Sequence, residues 1–452
     1  MTVDVDAYRT AVPEMASFLG VDALDAAMLK LAAAHPDLAS LRRVGTSGLG
    51  EPISMLSIGS GTRNALFFAC THPDEPIGAM TISHLAELLC RDDDLRETGD
   101  FTWHLIPCVN PDEVRLNEGW FQPPFSMGDF AARCYRPPSD RDLEWSFPFF
   151  HETSYFDSTL RETQMLMRVI DDLQPVVMGS LHNNVFGGVY FYISGEDAAL
   201  QETLHRMPAA EGLPLRLGEP ETPYIRELSP GVLLFPDPKD RYAYEVAAGA
   251  DPETLSLAGS SLTYASRYGT RGIIVEVAYF DDPRVADQTA MDRSVRAVIA
   301  DSTRIAEEGL AYLEPALEAV GARLRTRSVF EESVRSNLGL ERATIDAKST
   351  WAESAPETLA AATVADLFAN RQEVKIRRLI NLGTFIRMLE TEVIAGHGNP
   401  VVRQTLEDAR VRFQAWEDDL ESELEARVVP IRKLVAVQLG AVLAATFAAP
   451  RD

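Results

Sequence analysis

The alternation of apolar runs with an amphipathic helix pattern in residues 65–109 constrains the fold more than any other feature. "ALFFAC" and "FTWHLIPCV" are apolar almost throughout, which is typical of strands buried on both faces. Between them, "EPIGAMTISHLAELLC" has the spacing of a helix with one apolar side. A strand, helix, strand unit of this kind is characteristic of proteins built around a central sheet. The segment therefore predicts an α/β fold.

Further segments extend this prediction on both sides. Two short strand patterns around a "GLGE" turn in residues 40–58 predict a leading hairpin, and residues 118–157 lack a steady period, which favours a pocket rim. A loop rich in proline and charge is expected near 218–252. The remaining predicted elements of this region are the helix "STLRETQMLMRVIDDLQ" and the strands "PVVMGSLH", "GGVYFYIS" and "RGIIVEVAYF".

Strand patterns disappear beyond about residue 290, and long helical patterns replace them. The clearest are "EVKIRRLINLGTFIRMLETEVI" and "TLEDARVRFQAWEDDLESELEARVV". We place a domain boundary near 315, with a catalytic domain in residues 1–315 and an all-helical domain in residues 316–452. The helical domain could cover a cleft, bind another protein or join copies of the chain, and the sequence favours a homo-oligomer formed through these helices.

The charge of the chain limits its partners. With 68 acidic and 42 basic residues, the formal net charge is -26, which argues against nucleic acid because phosphates would be repelled. The most apolar stretch, "VAVQLGAVLAATFAA", is shorter than a bilayer span and predicts a packed helix rather than a membrane contact. The acidic start of the chain lacks the pattern of a secretion signal, so we expect a cytoplasmic protein.

Four polar residues occur at or within the predicted buried strands, and together they suggest a metal site. His72 follows "ALFFAC", Glu75 opens the next helix, and His182 ends "VVMGSLH". Two histidines and a carboxylate are a ligand set that zinc uses in catalytic sites, where the fourth position is left for water. Glu276, inside "GIIVEVAYF", is then the candidate general base. We expect one zinc ion per chain.

Each of these residues also has a structural interpretation. The H-x-x-E spacing of His72 and Glu75 is common, His182 could be a hydrogen-bonded core histidine, and Glu276 could pair with Arg267 or Arg271. The combination of all four at strand positions favours the metal site. Structural roles are expected for the remaining histidines and for the two cysteines that end apolar runs, which are His35, His84, His104, His151, His205, His397, Cys70 and Cys108.

The order of "LRRVGTSGLGEPISMLSIG", "THPDEPIG", "NPDE", "STLRETQMLMRVIDDLQPVVMGSLHNN" and "GIIVEVAYF" resembles the zinc metallocarboxypeptidases, the carboxypeptidase A-like peptidases. The resemblance covers roughly residues 5–310 and implies a mixed, twisted eight-stranded sheet flanked by helices. It also implies that His72, Glu75 and His182 are the zinc ligands and that Glu276 is the catalytic base.

The part of the resemblance that concerns substrate recognition departs from the family pattern. In "FAARCYRPPSDRD", Arg136 matches the family's carboxylate-binding arginine, but Tyr135 stands where the family has asparagine. Arg133 is the candidate for a second cation. The family's mobile tyrosine has no clear counterpart, and the sequence does not choose between Tyr242 and Tyr244.

These features predict a metallopeptidase that cleaves the C-terminal amide bond of a small peptide or peptide-like metabolite. One alternative keeps the zinc site and acts as a deacylase or amidase on N-acyl amino acids. Another is a binding or assembly protein that retains the fold without catalysis.

Overall fold

A computed structural model describes residues 3–217, 222, 224–354 and 361–450. Its strands, numbered in chain order within these residues, are β1 (Ala39–Thr46), β2 (Pro52–Ile58), β3 (Arg63–Ala69), β4 (Phe101–Ile106), β5 (Phe149–His151), β6 (Ser154–Phe156), β7 (Val177–Phe186), β8 (Tyr190–Ile193), β9 (Glu227–Ser229), β10 (Val232–Leu234), β11 (Arg271–Asp281), β12 (Ala290–Ser294), β13 (Ala361–Thr363) and β14 (Arg427–Val428).

The α-helices of the same residues are α1 (Val5–Thr10), α2 (Val21–Ala34), α3 (Ile77–Arg91), α4 (Asp93–Glu97), α5 (Pro111–Val114), α6 (Met127–Arg133), α7 (Arg161–Leu173), α8 (Ala198–Glu211), α9 (Pro238–Ala247), α10 (Ser261–Ala265), α11 (Val295–Gly321), α12 (Val329–Ser354), α13 (Val364–Ile394), α14 (Pro400–Glu423) and α15 (Ile431–Ala448). The predicted hairpin, the strand, helix, strand unit and the helix before β7 are all present.

The main sheet has the strand order β1-β2-β4-β3-β7-β11-β8-β10-β9, and β14 pairs with β11. Strands β4, β3, β7 and β11 run parallel at its centre, and antiparallel pairs flank them. The eight strands from β1 to β10 in this order form the predicted mixed sheet, and the short strands β9 and β14 are additions to it. The α/β prediction is therefore confirmed.

The sheet separates two apolar cores, as the period of a buried strand requires. In β3, Phe67 belongs to the core under α3 and α15, whereas Leu66 and Phe68 belong to the core under α7. Strand β11 follows the same alternation, with Val275 and Val277 in the first core and Ile274 in the second. Polar side chains at even positions of β11 and β7 therefore project on the α7 side of the sheet.

The C-terminal region is largely helical. The predicted boundary at residue 315 falls inside α11, which runs without a break from Val295 to Gly321. Helices α11 to α14 pack on one another, and α15 returns to the sheet, where it contacts α8, α3 and β11. By length and composition α15 is the one helix among the described residues that could cross a membrane, but 72% of it is buried inside the protein.

The predicted loop near 218–252 is only partly irregular. Within it, β9, β10 and α9 are ordered elements, while residues 218–221 and 223 lie outside the described residues. Helix α9 begins because Asp237 accepts a hydrogen bond from the Lys239 amide and Pro238 occupies the first helical turn. Proline and charge are also typical of loops, so this helix start was not predicted from the sequence.

Candidate functional site

The turn between β3 and α3 places His72 and Glu75 side by side. Strand β3 ends at Ala69, and the Glu75 amide donates to the His72 carbonyl at 3.2 Å, which closes the turn. Helix α3 then packs directly on β7, because a Cβ on Gly78 would lie 2.6 Å from the Leu181 carbonyl oxygen. This close approach brings the turn next to His182.

His182 lies within β7 rather than at its end, which corrects the sequence interpretation. The last pair between β3 and β7 joins Ala69 and Leu181, so His182 is the first residue of β7 beyond the end of β3. On the other side, His182 pairs in register with Glu276 of β11. Paired residues of adjacent strands project to the same face, so these two side chains lie on the same side of the sheet.

Three side chains converge into a candidate metal site. His72 Nδ1 is 2.9 Å from Glu75 Oε1, His182 Nδ1 is 2.8 Å from Glu75 Oε2, and the two histidine Nδ1 atoms are 3.1 Å apart. Among the residues that the structure describes, this is the group of metal-ligating side chains whose donor atoms all lie within 4.8 Å. The arrangement presents two imidazole nitrogens and one carboxylate to a single point.

The charges of the site favour an ionised carboxylate. Burial opposes ionisation of Glu75, but His72 and Arg136 outweigh it and hold the pKa of this carboxyl well below its usual range. For His72, burial and Arg136 lower the pKa, yet Glu75 and Asp142 raise it to about 9. A metal cation at this point would therefore compete with protons on the histidines, and its binding would release them.

Outer partners hold both imidazole rings in orientation. His72 Nε2 is 3.3 Å from Asp142 Oδ2, and His182 Nε2 is 2.8 Å from Ser180 Oγ. The fully buried Glu144 accepts hydrogen bonds from Ser180 Oγ at 2.9 Å and from Ser261 Oγ at 2.5 Å. Partners of this kind fix the ring so that the opposite nitrogen, here Nδ1, faces the ion.

A second support comes from the other face of the sheet. The buried Gln438 of α15 donates to the His182 carbonyl at 2.6 Å and accepts from Thr81 Oγ1 of α3 at 2.8 Å. Helix α15 thereby connects the backbone of His182 to α3, the helix that follows His72 and Glu75. The C-terminal helix is therefore part of the support of the site.

The two candidate arginines have different surroundings. Arg136 Nη2 is 2.8 Å from Glu75 Oε1, and Arg136 lines the pocket. Arg133 does not line it, because its side chain is exposed, pairs with Asp129 and donates to the Gly119 carbonyl. The structure thus brings Arg136 to the candidate metal site and leaves Arg133 outside.

The pocket has a volume of ≈ 700 Å³ and contains all four candidate catalytic and metal-binding residues. One side carries aromatic residues, including Tyr190, Tyr192 and Trp145. Helices α12 and α13, which belong to the C-terminal helical region, also contribute to the lining. Neither candidate for the mobile tyrosine lines this pocket. Tyr242 contacts Thr153, and Tyr244 packs against the ring of Tyr224.

The site residues predicted from the sequence did not include Asp142, Glu144 or the residues of α12 and α13. Asp142 and Glu144 do fall in the segment predicted as a pocket rim, but a single acid in a loop carries no spacing signal. None of the other described histidines belongs to the converging group. His104, for example, contacts Ser57 and Asn64, and burial lowers its pKa to about 4. The four cysteines are buried and free.

Comparison with known proteins points to one family. Residues 24–209 match the model of the zinc carboxypeptidase family, a range that contains His72, Glu75 and His182 but ends before Glu276. No curated protein sequence matches the chain.

Solved structures resemble the chain at low identity. Carboxypeptidase A from Helicoverpa armigera is 15% identical with a TM-score of 0.36, and the match covers 61% of this chain and 69% of that one. The metallo-carboxypeptidase from Burkholderia cenocepacia is 16% identical with a TM-score of 0.34, over 57% and 60% of the two chains. The metallo-carboxypeptidase from Pseudomonas aeruginosa is 16% identical with a TM-score of 0.33, over 55% and 58%.

Proposed function

We propose that this chain removes the C-terminal residue of a small peptide or peptide-like metabolite. The premise is that it belongs to the zinc carboxypeptidase family through residues 24–209. The observation that carries the proposal is the convergence of His72, Glu75 and His182 in one pocket, with Glu276 in register beside His182. One zinc ion per chain would be held by the three converging side chains.

The donor set fits zinc in type and spacing. Ligands arranged tetrahedrally at about 2.0–2.1 Å from zinc lie roughly 3.3 Å from one another. The separations between the donor atoms of His72, Glu75 and His182 are 2.8 to 3.1 Å, so a small expansion accommodates the ion. Ser180 contacts the outer nitrogen of His182 and Asp142 lies 3.3 Å from that of His72, while both Nδ1 atoms face Glu75.

Zinc in such a site supplies Lewis acidity at the scissile carbonyl and acidifies water. Glu276 then acts as general base, taking a proton from the attacking water and delivering it to the leaving nitrogen. Arg136 binds the C-terminal carboxylate of the substrate, since a guanidinium forms paired, charge-assisted hydrogen bonds with that group.

We expect peptides with a free C-terminal carboxylate to be cleaved on the order of 10²-fold more efficiently than their C-terminal amides, measured as kcat/KM. The reason is that a hydrogen bond to a charged group contributes about 1.5–3 kcal/mol. Arg136→Gln should remove most of this preference by slowing cleavage of the acid rather than of the amide. The matched control is Arg133→Gln, whose exposed side chain lies outside the pocket and should leave the ratio unchanged.

A second candidate is a deacylase or amidase that acts on N-acyl amino acids. Tyr135, at the family's asparagine position, is fully buried with its ring against Phe330, and it cannot donate to a substrate carboxylate. This observation favours weaker recognition of a free C-terminus than the first candidate requires. Equal kcat/KM for acids and amides would exclude dependence on the terminal carboxylate and would favour the amidase form of this second candidate.

A further inference from the structure

The pocket is completed by the C-terminal helices. Helix α12 contributes Glu341, and α13 contributes Glu373, Arg377 and Asn381, which are spaced four residues apart and therefore lie along one helix face. This set of four residues is called the helical wall below. It lines the same pocket as the candidate metal ligands.

We propose that the helical wall binds the acyl part of the substrate and restricts the enzyme to peptides of roughly two to four residues, since a pocket of this size encloses a small ligand. This inference rests on the proposed hydrolase function and adds the substrate class to it. The substrate is a short, polar peptide or acylated amino acid rather than the end of a protein chain.

The wall is anchored to the segment that carries Arg136. Ser333 Oγ of α12 donates to the Arg136 carbonyl at 2.7 Å. Arg387 of α13 donates to the carbonyls of Leu116 at 2.8 Å and of Cys134 at 3.1 Å. These hydrogen bonds join the helices that carry the wall to both ends of the same loop region. They therefore hold the wall in position relative to Arg136.

The chemistry of the wall suits amide groups. Arg377 Nε contacts Glu341 Oε2 at 2.6 Å, and Glu373 Oε1 lies 3.3 Å from Arg216 Nη2, which also lines the pocket. Each pair joins one positive and one negative side chain, and the Arg377 side chain is about 42% exposed. Arg377 and Asn381 therefore offer hydrogen-bond donors to carbonyl or carboxylate oxygens of the acyl part, in a pocket that Tyr190 and Tyr192 also line.

The volume of the pocket limits the length of the peptide that it can enclose. At ≈ 700 Å³, the pocket lies within the range of sites that enclose a small molecule. Because Arg136 and α13 line the same cavity, a peptide whose C-terminus lies at Arg136 shares that cavity with the helical wall.

The test uses N-acetylated peptides of one, two, three, four and eight residues that share the same C-terminal residue. For the zinc-loaded full chain we expect kcat/KM to be highest at two or three residues and at least tenfold lower at eight. Arg377→Ala and Asn381→Ala should each raise KM for the dipeptide about tenfold with little change in kcat. The control is Arg335→Ala on α12, whose exposed side chain pairs with Glu331 and should leave KM unchanged.

The outcomes separate this inference from the function on which it rests. Equal kcat/KM for the dipeptide and the octapeptide, or unchanged KM in both wall variants, would overturn the role of the wall. If zinc-loaded protein cleaves none of the peptides, the hydrolase proposal fails instead. Calorimetric binding of the acetylated dipeptide to wild type and Arg377→Ala then tests substrate binding by the wall independently of catalysis. Tenfold weaker binding to the variant would support the role of the wall, and equal binding would contradict it.

Discussion

Glu276→Gln is expected to lower kcat/KM by about 10²- to 10⁴-fold, the contribution typical of a positioned general base. Glutamine has nearly the shape of glutamate but cannot accept a proton from water. Because Glu276 is not among the converging ligands, the variant should keep about one zinc per chain. Steady-state kinetics and elemental analysis of the same preparations measure both quantities.

The control for this variant is Glu245→Gln on α9, which removes an acid that lies outside the pocket. We expect this control to match wild type in rate and zinc content. Activity of Glu276→Gln within tenfold of wild type would exclude the base assignment. Loss of zinc from Glu276→Gln would instead make this carboxylate a ligand.

Gly383→Ala is expected to destabilise the protein by about 1–3 kcal/mol, the usual cost of overpacking, because the new methyl group meets backbone. A Cβ at residue 383 of α13 would lie 2.0 Å from the Ala131 carbonyl oxygen of α6, and neither backbone can yield without moving a helix. Displacement of α13 would also move the helical wall, so peptide cleavage should fall together with stability. Denaturant unfolding followed by circular dichroism measures the change in free energy.

Gly339→Ala in α12 provides a matched substitution with the opposite expected sign. A Cβ at residue 339 meets nothing within 4 Å, so alanine should stabilise the helix by about 0.5–1 kcal/mol. If both variants change the free energy of unfolding in the same direction, the contact between α13 and α6 is not the reason for glycine at 383.

The sheet could be predicted because its signals are local. The run containing Phe67 and Phe68 is apolar on both faces, and it becomes a central parallel strand with one core on each side. The start of α9 at Asp237 was overlooked because an Asp-Pro pair signals a helix N-terminus as well as a turn. The bounds of β7 also depended on tertiary structure, since β11 continues to pair with it beyond the end of β3.

In the candidate site, too, the residues that are close in sequence could be predicted and those that depend on tertiary packing could not. His72 and Glu75 are three residues apart, so one turn brings them together and the sequence shows their spacing. His182 and Glu276 could be related to them only by assuming that neighbouring strands end at one edge of the sheet. The contribution of the helical wall depends on how α13 packs on α6, and no pattern within α13 records which helix face meets a pocket.

The metal site itself is tested by the zinc content per chain of wild type, His72→Ala and His182→Ala, purified identically and measured by elemental analysis. His397→Ala serves as the control, since this exposed histidine lies outside the candidate site. The account predicts about one zinc per chain in wild type and in the control, and nearly none in the other two variants. Wild-type protein that holds no zinc even when zinc is supplied would contradict it and would favour a binding or assembly role for the fold.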